Sequence, residues 1–294
     1  MKKLSVFILI LLLLLITGCS NDNTSCQIVA TTLPVYEFAS AVCEQTPLTV
    51  GRLITESVSC LHDYTLQVGQ MRMIENADVI ITSGAGLEDF LADALANADA
   101  CIDSSVNTHI HEGDHTHHDD HEQEHGHHHN EDPHIWLSPE NAAIMAENIC
   151  DELAQIYPEY ADTFQNNLIQ LNEKLDTLQS YGETQLSGLS TRELITFHDG
   201  FAYFAESFDL MILEAIEEES GSEASAAEII HLVGLVSSHK LPAVFIEKSG
   251  SDACAGIISA ETGAAVYTLD MAMSGDSYFD AMYHNIDTIK EALS

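Results

Sequence analysis

Ten of the sixteen histidines fall in one short stretch, as His109, His111, His115, His117, His118, His121, His125, His127, His128 and His129. Asp114, Asp119, Asp120, Glu122 and Glu124 are interleaved with them. Neutral imidazole is the commonest metal ligand, and with an ordinary pKa of about 6.5 it is largely unprotonated near neutral pH. The chemistry on offer is therefore capture of a metal cation. The stretch lacks the apolar residues a core needs, so a solvated loop is expected over 107–131. An expression tag would be terminal and uninterrupted, whereas this segment is internal and mixed with acids. The loop runs into Asp132-Pro133-His134-Ile135-Trp136-Leu137-Ser138-Pro139, which places His134 where ordered structure resumes.

Three more residues with ligand chemistry stand beside strand-like runs. His62 lies in a polar loop after Leu48–Ile54, His198 follows Glu193–Phe197, and Asp270 follows Ala265–Leu269. Singly, each signal is weak: a histidine beside a strand is more often structural, and Asp270 could simply cap its loop. His231, His239 and His284 fall in helical or loop patterns and read as structural.

The elements that must hold these residues follow from periodicity. Gln27–Leu33, Leu48–Ile54, Ala77–Thr82 and Ala100–Val106 are short apolar runs, separated by stretches with helical spacing. Pro34 reads as the stop of the first run. Ser138-Pro139-Glu140 is a helix start, with a capping hydroxyl, a first-turn proline and an acid near the positive helix end. From Pro158 to about Tyr181, Tyr160, Phe164, Leu168, Leu171, Leu175 and Leu178 make one apolar stripe, ending before Gly182. Strand–helix alternation then restarts with Glu193–Phe197, Met211–Ala215, Ala243–Glu247 and Ala265–Leu269. The expected fold is α/β, with two small Rossmann-like parallel-sheet lobes joined by one long linking helix. Ligands of open parallel sheets bind outside the carboxyl ends of the strands, so His62 and His134 would face His198 and Asp270 across a cleft. Three imidazoles and one carboxylate suit tetrahedral zinc, and suit manganese or iron less as nitrogen replaces oxygen.

Lys2 and Lys3 precede an apolar run, Leu4–Ile16, too short to span a bilayer and right for a signal-peptide core. It ends in Ile16-Thr17-Gly18-Cys19, which resembles the lipobox of bacterial lipoproteins. That resemblance implies cleavage of residues 1–18 and lipid on Cys19, with a polar tether over 19–26. Nine basic residues against 47 acidic ones give a formal charge of −38, which repels nucleic acid and favours cations near the surface. Cys26, Cys43, Cys60, Cys101, Cys150 and Cys254 permit disulfides without choosing among them, and no CxxC spacing indicates a four-cysteine zinc site.

The stretches His62-Asp63-Tyr64, Asp132–Pro139, Thr196-Phe197-His198-Asp199-Gly200-Phe201 and Leu269-Asp270 together resemble the zinc/manganese-specific solute-binding lipoproteins of ABC importers, the cluster A-I class. Gly84-Ala85-Gly86-Leu87-Glu88 and Ile246-Glu247-Lys248 extend the likeness over nearly all the mature chain. A histidine-rich loop just before His134 is similar to the zinc branch. The resemblance implies a first lobe over 27–157, a linking helix over 158–187, a second lobe over 188–294, and metal in the cleft on His62, His134, His198 and Asp270. It implies a monomer on the outer face of the cytoplasmic membrane, delivering Zn²⁺ to a permease and its ATPase. The sequence departs from the pattern at Leu61, where proline is usual, and at Met271, where proline often follows the acid. Cys60, close to His62, offers either a thiolate ligand or a disulfide partner. Two other functions remain: a passive zinc buffer or adhesion lipoprotein, and a zinc hydrolase. No HExxH-type glutamate supports the hydrolase, although Glu247 could be imagined as its base.

Overall fold

The structure, a computed structural model, describes residues 26–56, 61, 64–96, 98–111, 132–216, 224–248, 250 and 252–294. Strand β1 (Ile28–Ala30) is buried along its whole length. It runs between β2 (Val50–Arg52) and β3 (Val79–Thr82), with β4 (Cys101–Asp103) outside β3. All pairings are parallel, with Ile28 opposite both Val50 and Val79. Continuous apolar runs such as Val79-Ile80-Ile81 are what a parallel sheet covered on both faces requires. The crossovers carry α1 (Leu33–Val42), α2 (Val68–Asn76) and the short α3 (Ala92–Leu95). Pro34 does not stop a strand, as its position suggests, but sits in the first turn of α1. A proline there lacks only an N–H that would have no partner inside the helix.

Helix α4 (Pro139–Ile156) begins as the sequence predicts, with the Ser138 side chain accepting from the Asn141 N–H. Helix α5 (Ala161–Gln185) buries Phe164, Leu168, Leu171, Leu175 and Leu178, the predicted stripe. At 1.5 Å per residue it is about 38 Å long, and it packs on α1 and α4 of the first lobe. Gly182 does not end it. A Cβ at Gly182 would meet the Phe208 ring at 2.2 Å, so this glycine admits a close neighbour rather than breaking the helix.

The second sheet contains β5 (Glu193–Thr196), β6 (Met211–Ala215), β7 (Ala243–Glu247) and β8 (Ala265–Leu269), all parallel, in the order β6-β5-β7-β8. This is the strand order of the first sheet repeated. Its crossovers are α6 (Ala202–Ser207), α7 (Ala226–His239) and α8 (Ala253–Thr262), and the closing helix α9 (Tyr278–Leu293) packs on both β8 and α5. One apolar core runs from the first lobe through α5 to α9, and a smaller one lies around Ile195, Leu232, Val236, Val244 and Ile258. Cys26, Cys43, Cys101 and Cys150 are free thiols, while Cys19 and Cys60 lie outside the described residues. Among the described residues, no helix is long and apolar enough to cross a membrane.

Candidate metal centre

His134 is 5% exposed and opens a buried turn, Ile135–Leu137, that leads into α4. Two hydrogen bonds tie that turn to the far lobe. Trp136 Nε1 donates to the Met271 carbonyl at 2.7 Å, and the Tyr278 hydroxyl donates to the Trp136 carbonyl at 2.8 Å. Asp132 aims the His134 ring: its Oδ1 accepts from the His134 backbone N–H at 2.9 Å and lies 2.7 Å from Nδ1. Burial works to raise the Asp132 carboxyl, but the hydrogen bond and charge of His134 outweigh it and the net shift is downward. An ionised carboxylate on Nδ1 keeps the proton there and leaves Nε2 its lone pair, the usual outer-shell device behind a ligating histidine.

His198 stands two residues beyond β5 and brings its Nε2 to 3.3 Å from that of His134, with the rings at 86°. Tetrahedral zinc with Zn–N bonds of 2.0–2.1 Å spaces its ligands by about 3.3 Å, so the two nitrogens sit at the separation of neighbouring ligands. Gly200 makes this approach possible. A Cβ there would lie 2.6 Å from Met271 Cε, 2.8 Å from His198 Cδ2 and 2.9 Å from His134 Nδ1. On its other side, His198 Nδ1 lies 3.6 Å from Oε2 of buried Glu247, whose carboxyl is raised to about 8 by burial and then by the charge of Asp270.

Asp270 directly follows β8 and is buried. Asn285 accepts its N–H at 2.8 Å and donates to its carbonyl at 2.7 Å. Its carboxylate is engaged by the Ala272 N–H at 2.9 Å and by Lys248 Nζ at 2.9 Å. His134, His198 and Asp270 do not gather as a set within 4.8 Å of one another. Of the four residues expected to meet, the structure thus brings two to ligand spacing and sets Asp270 against Lys248. His62 lies outside the described residues, as do His115, His117, His118, His121, His125, His127, His128, His129 and Cys19. His109 and His111 are described and stand on the loop stem, against α6. His239 meets Glu193 at 2.9 Å and His231 meets Glu214 at 3.6 Å; neither of these contacts involves a residue of the pair. Asp132 has no role assigned from sequence, its signal being its place two residues before His134, and Glu247 enters there as the imagined base of a hydrolase.

A family model described as zinc-uptake complex component A, periplasmic (ZnuA), matches residues 28–292. The zinc-binding lipoprotein AdcA of Streptococcus pneumoniae is 28% identical over 99% of this chain and 61% of its own length, so the chain spans less than two thirds of that relative. The manganese ABC transporter substrate-binding lipoprotein PsaA of Streptococcus mitis is 28% identical over 56% of each chain. Among solved structures, the Zn(II)-bound ZnuA-like domain of Streptococcus pneumoniae AdcA superposes with a TM-score of 0.76 at 26% identity, covering 92% of this chain and 99% of that domain.

Proposed function

Because the chain belongs to the zinc-uptake complex component A family, we propose that it is an extracytoplasmic receptor that captures Zn²⁺ between its lobes and hands it to the permease and ATPase of an ABC-type importer. The observation that carries this reading is the His134–His198 pair, with two Nε2 atoms 3.3 Å apart and Asp132 fixing one ring. His62 and Asp270 complete the proposed ligand set. Asp270 joins it by exchanging the Lys248 ammonium for the cation, so metal and lysine compete for one carboxylate oxygen. Four protein ligands leave no coordination place for an activated water, which suits a carrier and not a hydrolase. Three imidazoles favour zinc over manganese, although relatives named for each metal are similar to this chain. The protein is held at the outer face of the cytoplasmic membrane by lipid on Cys19, and works as a monomer.

The test has two arms. Calorimetric titration of the soluble chain with zinc should show one tight site that His134→Ala abolishes. A strain lacking the chain should grow poorly when zinc is scarce and recover with excess zinc. Tight binding that survives His134→Ala would overturn the cleft assignment. Tight binding without a growth defect would leave a buffer in place of an importer.

A further inference from the structure

We infer that residues 271–275 form a strap through which the first lobe positions Asp270, with Trp136 and Arg52 as positioning residues for metal capture. The inference rests on the reading of Asp270 as a ligand and adds residues that never touch the ion.

The strap leaves β8 after Asp270 and ends before α9, and its backbone is held from the other lobe. Every second carbonyl meets a donor of the first lobe. Trp136 Nε1 reaches the Met271 carbonyl at 2.7 Å, the Leu33 N–H reaches that of Met273 at 3.2 Å, and Arg52 Nη1 reaches that of Gly275 at 2.7 Å. Arg52 is itself steadied over the Tyr36 ring, 5.9 Å from its centroid. Just beyond the strap, Glu37 of α1 accepts the Tyr278 N–H at 2.9 Å. Met271, Ala272 and Met273 are buried, so the carbonyls of this part depend on protein donors rather than water.

Between the Met271 and Met273 carbonyls stands Ala272, at φ +54°. The left-handed region is disfavoured for any residue with a Cβ, and such a conformation persists only where its surroundings impose it. Here the imposing contacts are those of Trp136 and Leu33 on either side. The turn sends the Ala272 N–H back to Asp270 Oδ1 at 2.9 Å and leaves Oδ2, which Lys248 holds, for the cation. The orientation of a carboxylate in the second lobe is thus set by donors of the first. Trp136 also stands two residues after His134, so one hydrogen bond joins the His134 turn to the residue after Asp270. The converse holds on the His134 side, where Tyr203 of α6 closes the neck of the histidine-rich loop. Its hydroxyl accepts from the His111 N–H at 2.9 Å and donates at 2.7 Å to the carbonyl of Asp132, which aims His134. Parting the lobes would free Ala272 to relax and let the Asp270 carboxylate turn away, as release of the ion requires.

The test is the rate at which the zinc-loaded chain gives up Zn²⁺ to excess chelator in stopped flow. Trp136→Phe keeps a ring and removes the indole N–H, and it should speed release by about 10-fold or more, the low end for losing an outer-shell partner. Arg52→Met, outside the core, should speed release by a smaller factor, and Arg52→Lys, which keeps a donor, should restore the parent rate. In an Asp270→Ala background nothing is left to position, so neither Trp136→Phe nor Arg52→Met should add a further factor. Parent release rates in both Trp136→Phe and Arg52→Met would overturn the strap. So would factors that persist unchanged in the Asp270→Ala background, since these residues would then act on packing or on His134. Asp270→Ala releasing zinc at the parent rate would instead overturn the ligand reading, and the strap with it.

Discussion

The two lobes share one strand order, and each sheet therefore has one crevice where the chain reverses direction, between β1 and β3 in the first and between β5 and β7 in the second. The protein fills the first crevice itself. Glu88 is buried there and accepts from the Thr31 hydroxyl at 2.5 Å, the Ser83 N–H at 2.8 Å and the Gly84 N–H at 3.0 Å. Thr32 and Ser83 close the remainder through a 2.8 Å hydroxyl pair. At the second crevice buried Glu247 ends β7, and its Oε2 lies 3.6 Å from Nδ1 of the His198 ring, which turns toward His134. Both carboxyls are raised mainly by burial, Glu88 to about 7 and Glu247 to about 8. The difference is in donors. Where backbone N–H groups saturate the acid the crevice is structural, and where the His198 imidazole meets it we place the proposed cation site.

The sharpest way to break that contrast is to empty the first crevice. Glu88→Ala strands two backbone N–H groups and a hydroxyl, and at about 1–3 kcal/mol for each unsatisfied group it should cost about 3–9 kcal/mol of stability. Denaturant unfolding measures this, and zinc affinity of the molecules that remain folded should not change. An equal loss of zinc affinity would show that the two crevices are not separate. At the second crevice the pattern should invert. His134→Ala should weaken zinc more than about 100-fold, beyond the cost of losing an outer-shell partner, while unfolding changes less than for Glu88→Ala. Asp132→Ala leaves the ligand and removes only what aims it. Competition with a zinc chelator should show a 10–100-fold loss. Affinity equal to the parent chain would mean that packing around Trp136 alone positions the ring.

The last expectation concerns pH. A carboxyl whose folded pKa exceeds its unfolded value of about 4.3 binds more protons when folded, so its contribution is complete below that value and is lost as pH rises to the folded pKa. The metal-free protein should therefore lose stability from about pH 4.3 up to 7 through Glu88, and up to 8 through Glu247. Each contributes a slope of at most about 1.4 kcal/mol per pH unit. Glu88→Gln and Glu247→Gln should each flatten their part of the curve. A profile unchanged in both variants would mean that neither acid is protonated in the folded state.

Much of this was written locally along the chain. The apolar runs, the Ser138 cap and the Phe164–Leu178 stripe depend on neighbours within a turn or two, and each became the element its periodicity indicated. His134 and His198 could be singled out because ligand residues cluster after strands of a parallel sheet. Pro34 and Gly182 were misread because their roles depend on what lies beside them: an unneeded first-turn N–H in one case, the Phe208 ring in the other.

Residue identity alone determined that this chain is two alternating α/β repeats carrying an excess of imidazole and carboxylate. Tertiary structure decided which of those groups meet. The 3.3 Å between His134 and His198 spans 64 positions, and the 2.8 Å between His111 and Glu206 spans 95. Periodicity has no reach at such separations. They are set by the packing of one lobe against the other, by a glycine that leaves room between two rings, and by a tyrosine that closes the neck of a loop.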